Sequence, residues 1–155
     1  MISMDEQKRF RHIVALVAFA GALLGGCGSS ASEEVDAGSA HELLSRGALT
    51  LVDIRQPSEW QETGVVEGAE LLNMVAFRGR NDFAEAVLES VDGNYDAPIA
   101  LICRTGNRSS RVLPMLEEYG FTNVYHVPEG MVGSRFTPGW IGQNLPVVEC
   151  DHEHC

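Results

Sequence analysis

The stretch that decides the fold is residues 98–119, which read PIALICRTGNRSSRVLPMLEEY. Its apolar run, Ile99 to Ile102, is typical of a strand buried on both faces, as in a parallel sheet. Five polar or glycine residues follow Cys103, and then a helical pattern places Val112 and Leu116 on one face. A strand, a tight loop and a helix in this order direct backbone N–H groups toward one point, here the sulfur of Cys103.

A cysteine at the end of a buried strand is most often a small, inert core residue. The loop argues for reactivity instead, because nothing structural requires Gly106, Arg104 and Arg108 directly after a core cysteine. Loop N–H groups and positive charge favour the thiolate, which is the reactive form. Cys103 is therefore the candidate nucleophile, and we expect both arginines to add positive charge beside it.

At this loop the sequence resembles the rhodanese family of sulfurtransferases, whose single-domain members carry a Cys-x-x-Gly-x-Arg loop. Residues 103–108, CRTGNR, match that motif at each fixed position. The resemblance covers roughly residues 39–148 and implies a catalytic Cys103. The substrate-binding loop that it implies consists of Arg104, Thr105, Gly106, Asn107 and Arg108.

The fold class that we predict is α/β, a rhodanese-like domain with a small parallel sheet flanked by helices. Alternating strand and helix patterns along the chain favour the same architecture with right-handed crossovers. The strand Leu49 to Ile54 delivers Asp53 and Arg55 at its end, and Pro57 begins a short helix. In the family that this pattern resembles, such residues order the loops around the site, so we interpret Asp53 and Arg55 as a structural pair behind it.

Other parts of the chain give weaker signals. Ser39 is predicted to begin a helix through a capping box with Glu42, and Asn81 to cap a later helix that ends near Ser90. His126, in the last predicted strand, reads as a packed or hydrogen-bonded residue. Arg135 could reach the site or face solvent, and the second alternative is favoured.

The composition limits the classes of function. A chain of 155 residues has room for one domain, and its net charge of −11 argues against nucleic acid or an anionic membrane surface as a partner. Because the resemblance to the rhodanese family covers residues 39–148, we expect one rhodanese-like domain there, and we expect a monomer.

The N-terminus is predicted to be a targeting segment. A basic patch at residues 8–11 precedes an apolar run, 13–24, that is short for a transmembrane helix. The following LGGC, which ends at Cys27, resembles the lipobox of bacterial lipoproteins, in which that cysteine is acylated. We therefore expect a signal peptide at 1–26, lipidation of Cys27 and a flexible tether at 27–38. The alternative is an ordinary signal peptide that contains a cysteine.

A lipid-anchored chain of this kind would lie on the periplasmic side of a bacterial membrane. With Gly28 rather than aspartate after Cys27, we expect the outer membrane in a Gram-negative host. The lipid anchor is the only membrane contact that the sequence predicts.

The tail, residues 149–155, contains the possible metal ligands Cys150, His152, His154 and Cys155. Their spacing matches no strong zinc pattern. A Cys150–Cys155 disulfide or disorder is favoured over a metal site, so no metal is predicted.

The length of the loop distinguishes between reactions. Cys103 and Arg108 form Cys-x4-Arg, whereas phosphatases use a loop one residue longer, and Ser109 stands where their arginine would be. The predicted reaction moves a sulfane sulfur from thiosulfate or a persulfide to a thiol or cyanide through a Cys103 persulfide. It needs a small anionic sulfur donor and no cofactor. The alternative is a non-catalytic periplasmic carrier of sulfur or metal, or a binding module.

Overall fold

A computed structural model describes residues 33–151 and 155. The predicted signal peptide, Cys27, His152 and His154 lie outside the described residues. The predictions made for them therefore stay predictions. Within the described residues, no helix is both long enough and apolar enough to cross a membrane.

The domain is built on a four-stranded sheet whose strands all run parallel, in the order β2-β1-β3-β4. The strands are β1 (Thr50–Asp53), β2 (Glu70–Leu71), β3 (Ile99–Ile102) and β4 (Val124–His126). The predicted α/β architecture is confirmed, because helical segments connect these strands. β3 lies between two neighbours and all four of its residues are buried, as the apolar run predicts.

Helices connect the strands and cover both faces of the sheet. They are α1 (Ala37–Ser45), α2 (Pro57–Thr63), α3 (Arg80–Ser90) and α4 (Ser109–Tyr119), with short 3₁₀ turns at Met74–Ala76 and Ile141–Gln143. One core layer packs α3 and α4 on alternate strand residues such as Ile99 and Leu101. The other packs α1 and Trp140 on Ala100 and Ile102. Successive side chains of β3 point to opposite faces of the sheet, so this strand contributes residues to both core layers.

Both predicted helix caps are wrong. The N-cap of α1 is Asp36, whose carboxylate accepts hydrogen bonds from the N–H and hydroxyl of Ser39, at 2.9 and 2.7 Å. Ser39 thus donates to the cap three residues before it. The N-cap of α3 is Gly79, which has no side chain to cap the helix, and Asn81 is an exposed residue inside the first turn.

The folded domain begins earlier than the boundary predicted at residue 39. The N–H of Val35 donates to the carbonyl of His126, and the N–H of His126 donates to the carbonyl of Glu33, at 3.0 and 2.9 Å. Residues 33–35 therefore extend alongside β4. Part of the predicted tether belongs to the fold.

At the other end of the chain, Cys150 and Cys155 form a disulfide bond, one of the alternatives that the tail sequence left open. Cys103 is a free, buried cysteine. The described residues contain no cluster of three or more histidine, cysteine, aspartate or glutamate side chains that could hold a metal ion.

Candidate active site

Cys103 lies at the carboxyl end of β3, where ligands bind in open parallel sheets. Its side chain is 1% exposed. The five residues after it form a loop, and α4 begins at Ser109, so residues 103–108 are called the cysteine loop from here on. Strand, loop and helix have the order that the sequence predicts.

The backbone of the cysteine loop has free donors. In the described part of the chain, the six consecutive N–H groups of residues 104–109 make no hydrogen bond. They lead into the N-terminus of α4, which adds a positive partial charge. Free N–H groups at a helix N-terminus suit an anion, and a thiolate or persulfide sulfur is an anion.

Two glycines let other backbone segments approach the cysteine loop. Gly106 has φ of 81°, and a Cβ atom there would overlap the carbonyl of Pro128. A Cβ atom on Gly130 would lie 2.7 Å from the carbonyl oxygens of Cys103 and Arg104. The N–H groups of Met131 and Val132 donate to those same two carbonyls, at 2.9 and 3.0 Å. The chain after β4 is therefore bonded directly to the loop.

The two loop arginines are not free charges, which corrects the expectation from sequence. Arg108 donates to both carboxylate oxygens of Glu59, at 2.8 and 2.5 Å, and Arg104 donates to both oxygens of Glu62, at 2.8 and 3.1 Å. Glu59 and Glu62 are three residues apart and therefore lie on the same face of α2. This face is directed toward the cysteine loop, which contains Arg104 and Arg108. Each positive charge beside Cys103 is thus compensated.

These ion pairs shift the titration of their members. Burial disfavours the charged form of Glu59, but hydrogen bonds from Arg108 and from the Gln56 N–H outweigh it and hold the pKa of Glu59 below its ordinary value. The hydrogen bond from Arg104 lowers the pKa of Glu62 in the same way. The pKa values of both arginines are raised by these carboxylates. The pairs therefore stay ionised across the neutral pH range.

Asp53 and Arg55 form the predicted structural pair, and both are fully buried. The guanidinium donates from Nε and Nη2 to the Asp53 carboxylate, at 2.7 to 2.9 Å. Its remaining donors bind α2 and the residue after it: the carbonyl of Glu59, the hydroxyl of Thr63 and the carbonyl of Gly64. Arg55 therefore fixes α2, which in turn presents Glu59 and Glu62 to the loop.

Ser109 is a polar neighbour of the sulfur and His126 contacts Ser109 in turn, and neither residue was predicted from the sequence to belong to the site. The Ser109 hydroxyl lies 3.6 Å from Cys103 Sγ, donates to the Gly106 carbonyl at 3.0 Å, and lies 3.5 Å from His126 Nδ1. Both residues are buried. His126 Nε2 in turn lies 3.6 Å from a carboxylate oxygen of Glu34. A signal for Ser109 was available, because it directly follows the loop motif.

The remaining loop residues and Arg135 point to solvent. Thr105 and Asn107 are exposed and hydrogen-bonded to each other at 3.1 Å. Arg135 is exposed as well, and its guanidinium stacks on Phe136 at 4.5 Å from the ring centroid. Arg135 therefore takes the solvent-facing alternative that the sequence favoured.

The comparison with known families agrees with this geometry. The model of the rhodanese-like domain matches residues 36–135, which include β1, the cysteine loop and β4. The chain belongs to the rhodanese family. Members of this family are generally sulfurtransferase-like, and the matched range includes the cysteine loop.

Individual relatives are more distant. An uncharacterized protein of Rickettsia conorii is 29% identical over 106 residues, which cover 67% of this rhodanese chain and 86% of the relative. The tRNA uridine(34) hydroxylase of Chlamydia pneumoniae is also 29% identical over 106 residues, 66% of this chain but 32% of the hydroxylase. This chain thus corresponds to about a third of that protein.

Among solved structures, the polysulfide-sulfur transferase homodimer of Wolinella succinogenes has a similar fold. The TM-score is 0.56 at 24% sequence identity, and the match covers 79% of this chain and 82% of that one. At this identity the likeness supports the rhodanese fold.

Proposed function

We infer that this chain is a sulfurtransferase that carries a sulfane sulfur on Cys103. The observation that carries the inference is the pairing of a buried cysteine with six unbonded N–H groups in a loop of Cys-x4-Arg length. Such a loop holds an anionic sulfur on a single side chain. It is one residue shorter than the loop with which phosphatases bind a phosphate.

The first half-reaction loads the cysteine. The Cys103 thiolate attacks the sulfane sulfur of thiosulfate or of a persulfide, a new sulfur–sulfur bond forms, and the donor's own sulfur–sulfur bond breaks. Sulfite or a thiolate leaves with the electron pair of the broken bond. The loop N–H groups stabilise the negative charge on the terminal sulfur of the Cys103 persulfide.

The second half-reaction unloads it. A thiolate or cyanide attacks the terminal sulfur, and the electron pair of the Cys103 sulfur–sulfur bond returns to Cys103. Neither step needs a metal or an organic cofactor, because sulfur is transferred between nucleophiles without net oxidation. Ser109 contacts the reacting sulfur and offers a hydroxyl that can donate to it or accept from it.

The turnover assay that tests this function uses thiosulfate and cyanide, with thiocyanate release as the readout. The wild type should turn over, and Cys103→Ser should lose sulfur transfer because a hydroxyl cannot carry a persulfide. The matched control replaces the other described cysteines, Cys150→Ser with Cys155→Ser, and should keep the wild-type rate. Equal rates in Cys103→Ser and the wild type would refute the proposal. A persulfide that forms but reaches no acceptor would indicate the carrier function instead.

The proposed location rests on the sequence of the N-terminus. We propose that Cys27 is lipidated and holds the domain on the periplasmic side of a membrane. Fractionation and mass spectrometry of the wild type should find an acylated Cys27 at a new N-terminus in the membrane fraction. A wild type that is uncut, or cut without acylation, would contradict the proposal.

A further inference from the structure

A surface cavity of about 190 Å³ adjoins the cysteine loop. Thr105 lines it from the loop, and the other lining residues come from the chain after β4: Pro128, Glu129, Gly133, Ser134 and Thr137. Residues 128–137 are called the post-β4 segment from here on. Hydrogen bonds from Met131 and Val132 to the carbonyls of Cys103 and Arg104 hold this segment beside the nucleophile. A molecule in the cavity is therefore next to the sulfur-carrying loop.

Glu129 is the acidic residue in the wall of this cavity. Its Oε2 atom is shielded from solvent and accepts no hydrogen bond from the described residues. A shielded carboxylate oxygen without a donor is unfavourable, since the carboxylate has lost water on that side and gained nothing in return. A positively charged ligand in the cavity would lie close to this carboxylate and would interact favourably with its negative charge.

The arginines of the cysteine loop and of the post-β4 segment have other partners in the structure. Arg104 and Arg108 each donate both arms of the guanidinium to a glutamate of α2, and Arg135 stacks on Phe136. Within residues 33–151 and 155, no ion pair includes Glu129. Glu129 therefore places a negative charge in the cavity wall, and no ion pair in this part of the chain compensates it.

The other polar groups of the wall suit an ammonium ion. Thr105 and Thr137 carry hydroxyl oxygens that can accept hydrogen bonds from a ligand, whereas the Ser134 hydroxyl oxygen already accepts two, from the N–H groups of Phe136 and Thr137. An ammonium group has three donors and no acceptor, so a carboxylate with hydroxyls around it is a matching set of partners.

We propose that this cavity binds the ammonium group of a small aminothiol, which is the acceptor of the sulfur carried by Cys103. The proposal rests on the proposed sulfurtransferase function. The acceptor thiolate attacks the terminal sulfur of the Cys103 persulfide, forms a new sulfur–sulfur bond and leaves as an aminothiol persulfide. The electron pair of the broken bond returns to Cys103 as thiolate, so no oxidant or reductant is consumed.

The experiment measures transfer from preloaded enzyme to three thiols that have two methylene groups between the sulfur and the terminal polar group: cysteamine, 2-mercaptoethanol and 3-mercaptopropionate. The full-length chain is loaded with thiosulfate, the persulfide on Cys103 is verified by mass spectrometry, and the rate of its loss is followed for each thiol. The thiols differ in intrinsic reactivity. The decisive quantity is therefore the change in the cysteamine to 3-mercaptopropionate rate ratio between the wild type and Glu129→Gln.

In Glu129→Gln this ratio should fall by about tenfold, because the substitution removes the charge and keeps the shape. The matched control is Glu89→Gln, an exposed residue of α3 that the cavity does not include, and it should keep the wild-type ratio. A second measurement needs no variant: ethylammonium should slow transfer to cysteamine in the wild type, and propionate should not.

The outcomes separate this proposal from the proposed function. If Cys103 never becomes loaded, sulfur transfer itself is refuted, and this proposal falls with it. If the persulfide forms but Glu129→Gln leaves the ratio unchanged, and ethylammonium does not inhibit, only the aminothiol proposal is overturned. If Glu129→Gln does not fold, inhibition by ethylammonium and not by propionate in the wild type supports the proposal, and its absence refutes it.

Discussion

Two parts of the chain flank the cysteine loop, and they treat charge in opposite ways. On one side, α2 presents Glu59 and Glu62, and each forms a two-armed ion pair with a loop arginine. On the other side, the post-β4 segment presents Glu129, whose shielded oxygen has no donor among the described residues. Acidic residues on the two sides of one nucleophile can therefore have different roles. The paired side holds α2 against the loop, and the unpaired side is where we propose that a ligand binds.

The paired side depends on one buried group. Arg55→Ala should lower the free energy of unfolding by about 3–5 kcal/mol, because it leaves the Asp53 carboxylate buried without its partner. Urea denaturation measures this. Arg80→Ala is the matched control, since Arg80 pairs with Glu118 in solvent, and it should cost about 1 kcal/mol or less. Similar small losses in both variants would show that Arg55 does not organise α2.

The contact between Gly106 of the cysteine loop and Pro128 of the post-β4 segment should affect the rate of sulfur transfer. Gly106→Ala places a methyl group against the Pro128 carbonyl and strains a residue with φ of 81°. The displaced loop should lose about 100-fold in sulfur-transfer rate, as misplacement of reacting groups by about 1 Å does. Gly93→Ala also has a positive φ but open space around it, so it serves as the control for strain alone. Equal activity losses in the two variants would contradict the role of the Pro128 contact.

The ion pair of Glu59 should appear in the pH dependence of stability. Burial opposes ionisation of Glu59, but the hydrogen bonds from Arg108 and the Gln56 N–H, together with the charges of Arg108 and Arg55, outweigh it, so the pKa is lower in the folded chain than in the unfolded one. Such a group stabilises the fold above its ordinary pKa, and this contribution is lost as the pH falls through the lowered value.

Glu59→Gln should therefore reduce the loss of unfolding free energy below about pH 5, measured by urea denaturation across the acid range. Glu89→Gln, on an exposed position of α3, should keep the wild-type slope. An unchanged slope in Glu59→Gln would mean that the pair with Arg108 contributes nothing to stability.

The smallest effect is expected at the tail, which is on neither side of the loop. Deleting residues 150–155 removes the Cys150–Cys155 disulfide. Its two cysteines are five residues apart in the sequence, so the bond closes only a short loop and should stabilise the fold little. Sulfur-transfer kinetics should remain within error of the wild type. Loss of most of the activity, or stoichiometric zinc or copper in the intact chain, would show that the tail has a functional role.

The sequence predicts those features that depend on neighbouring residues. β3 and α4 follow from an apolar run and a helical period, and the cysteine loop follows from residues that are consecutive in the chain. The N-cap predicted for α1 was wrong because two candidates competed: Asp36 and Ser39 are both good caps, and Asp36 uses Ser39 as its donor. The local sequence does not show which of two neighbouring candidates is the N-cap.

Features that depend on distant residues could not be predicted in this way. Arg104 and Arg108 lie 42 and 49 residues from the glutamates that pair with them. The pairing exists because Arg55 fixes α2 across the end of β1. His126 reaches Ser109 from 17 residues away, since β4 lies next to β3. The charged residues themselves are evident from the sequence, but the sequence does not show which of them pair with each other.

The claim that Cys103 carries the transferred sulfur is tested most directly by locating that sulfur in the protein. After incubation with thiosulfate or a low-molecular-weight persulfide, intact-mass and peptide mass spectrometry should find one additional sulfur atom, on the peptide that contains Cys103. Cyanide should then remove it, with release of an equal amount of thiocyanate. A chain that transfers sulfur without ever carrying it on Cys103, or a Cys103→Ser variant that still transfers, would contradict the account.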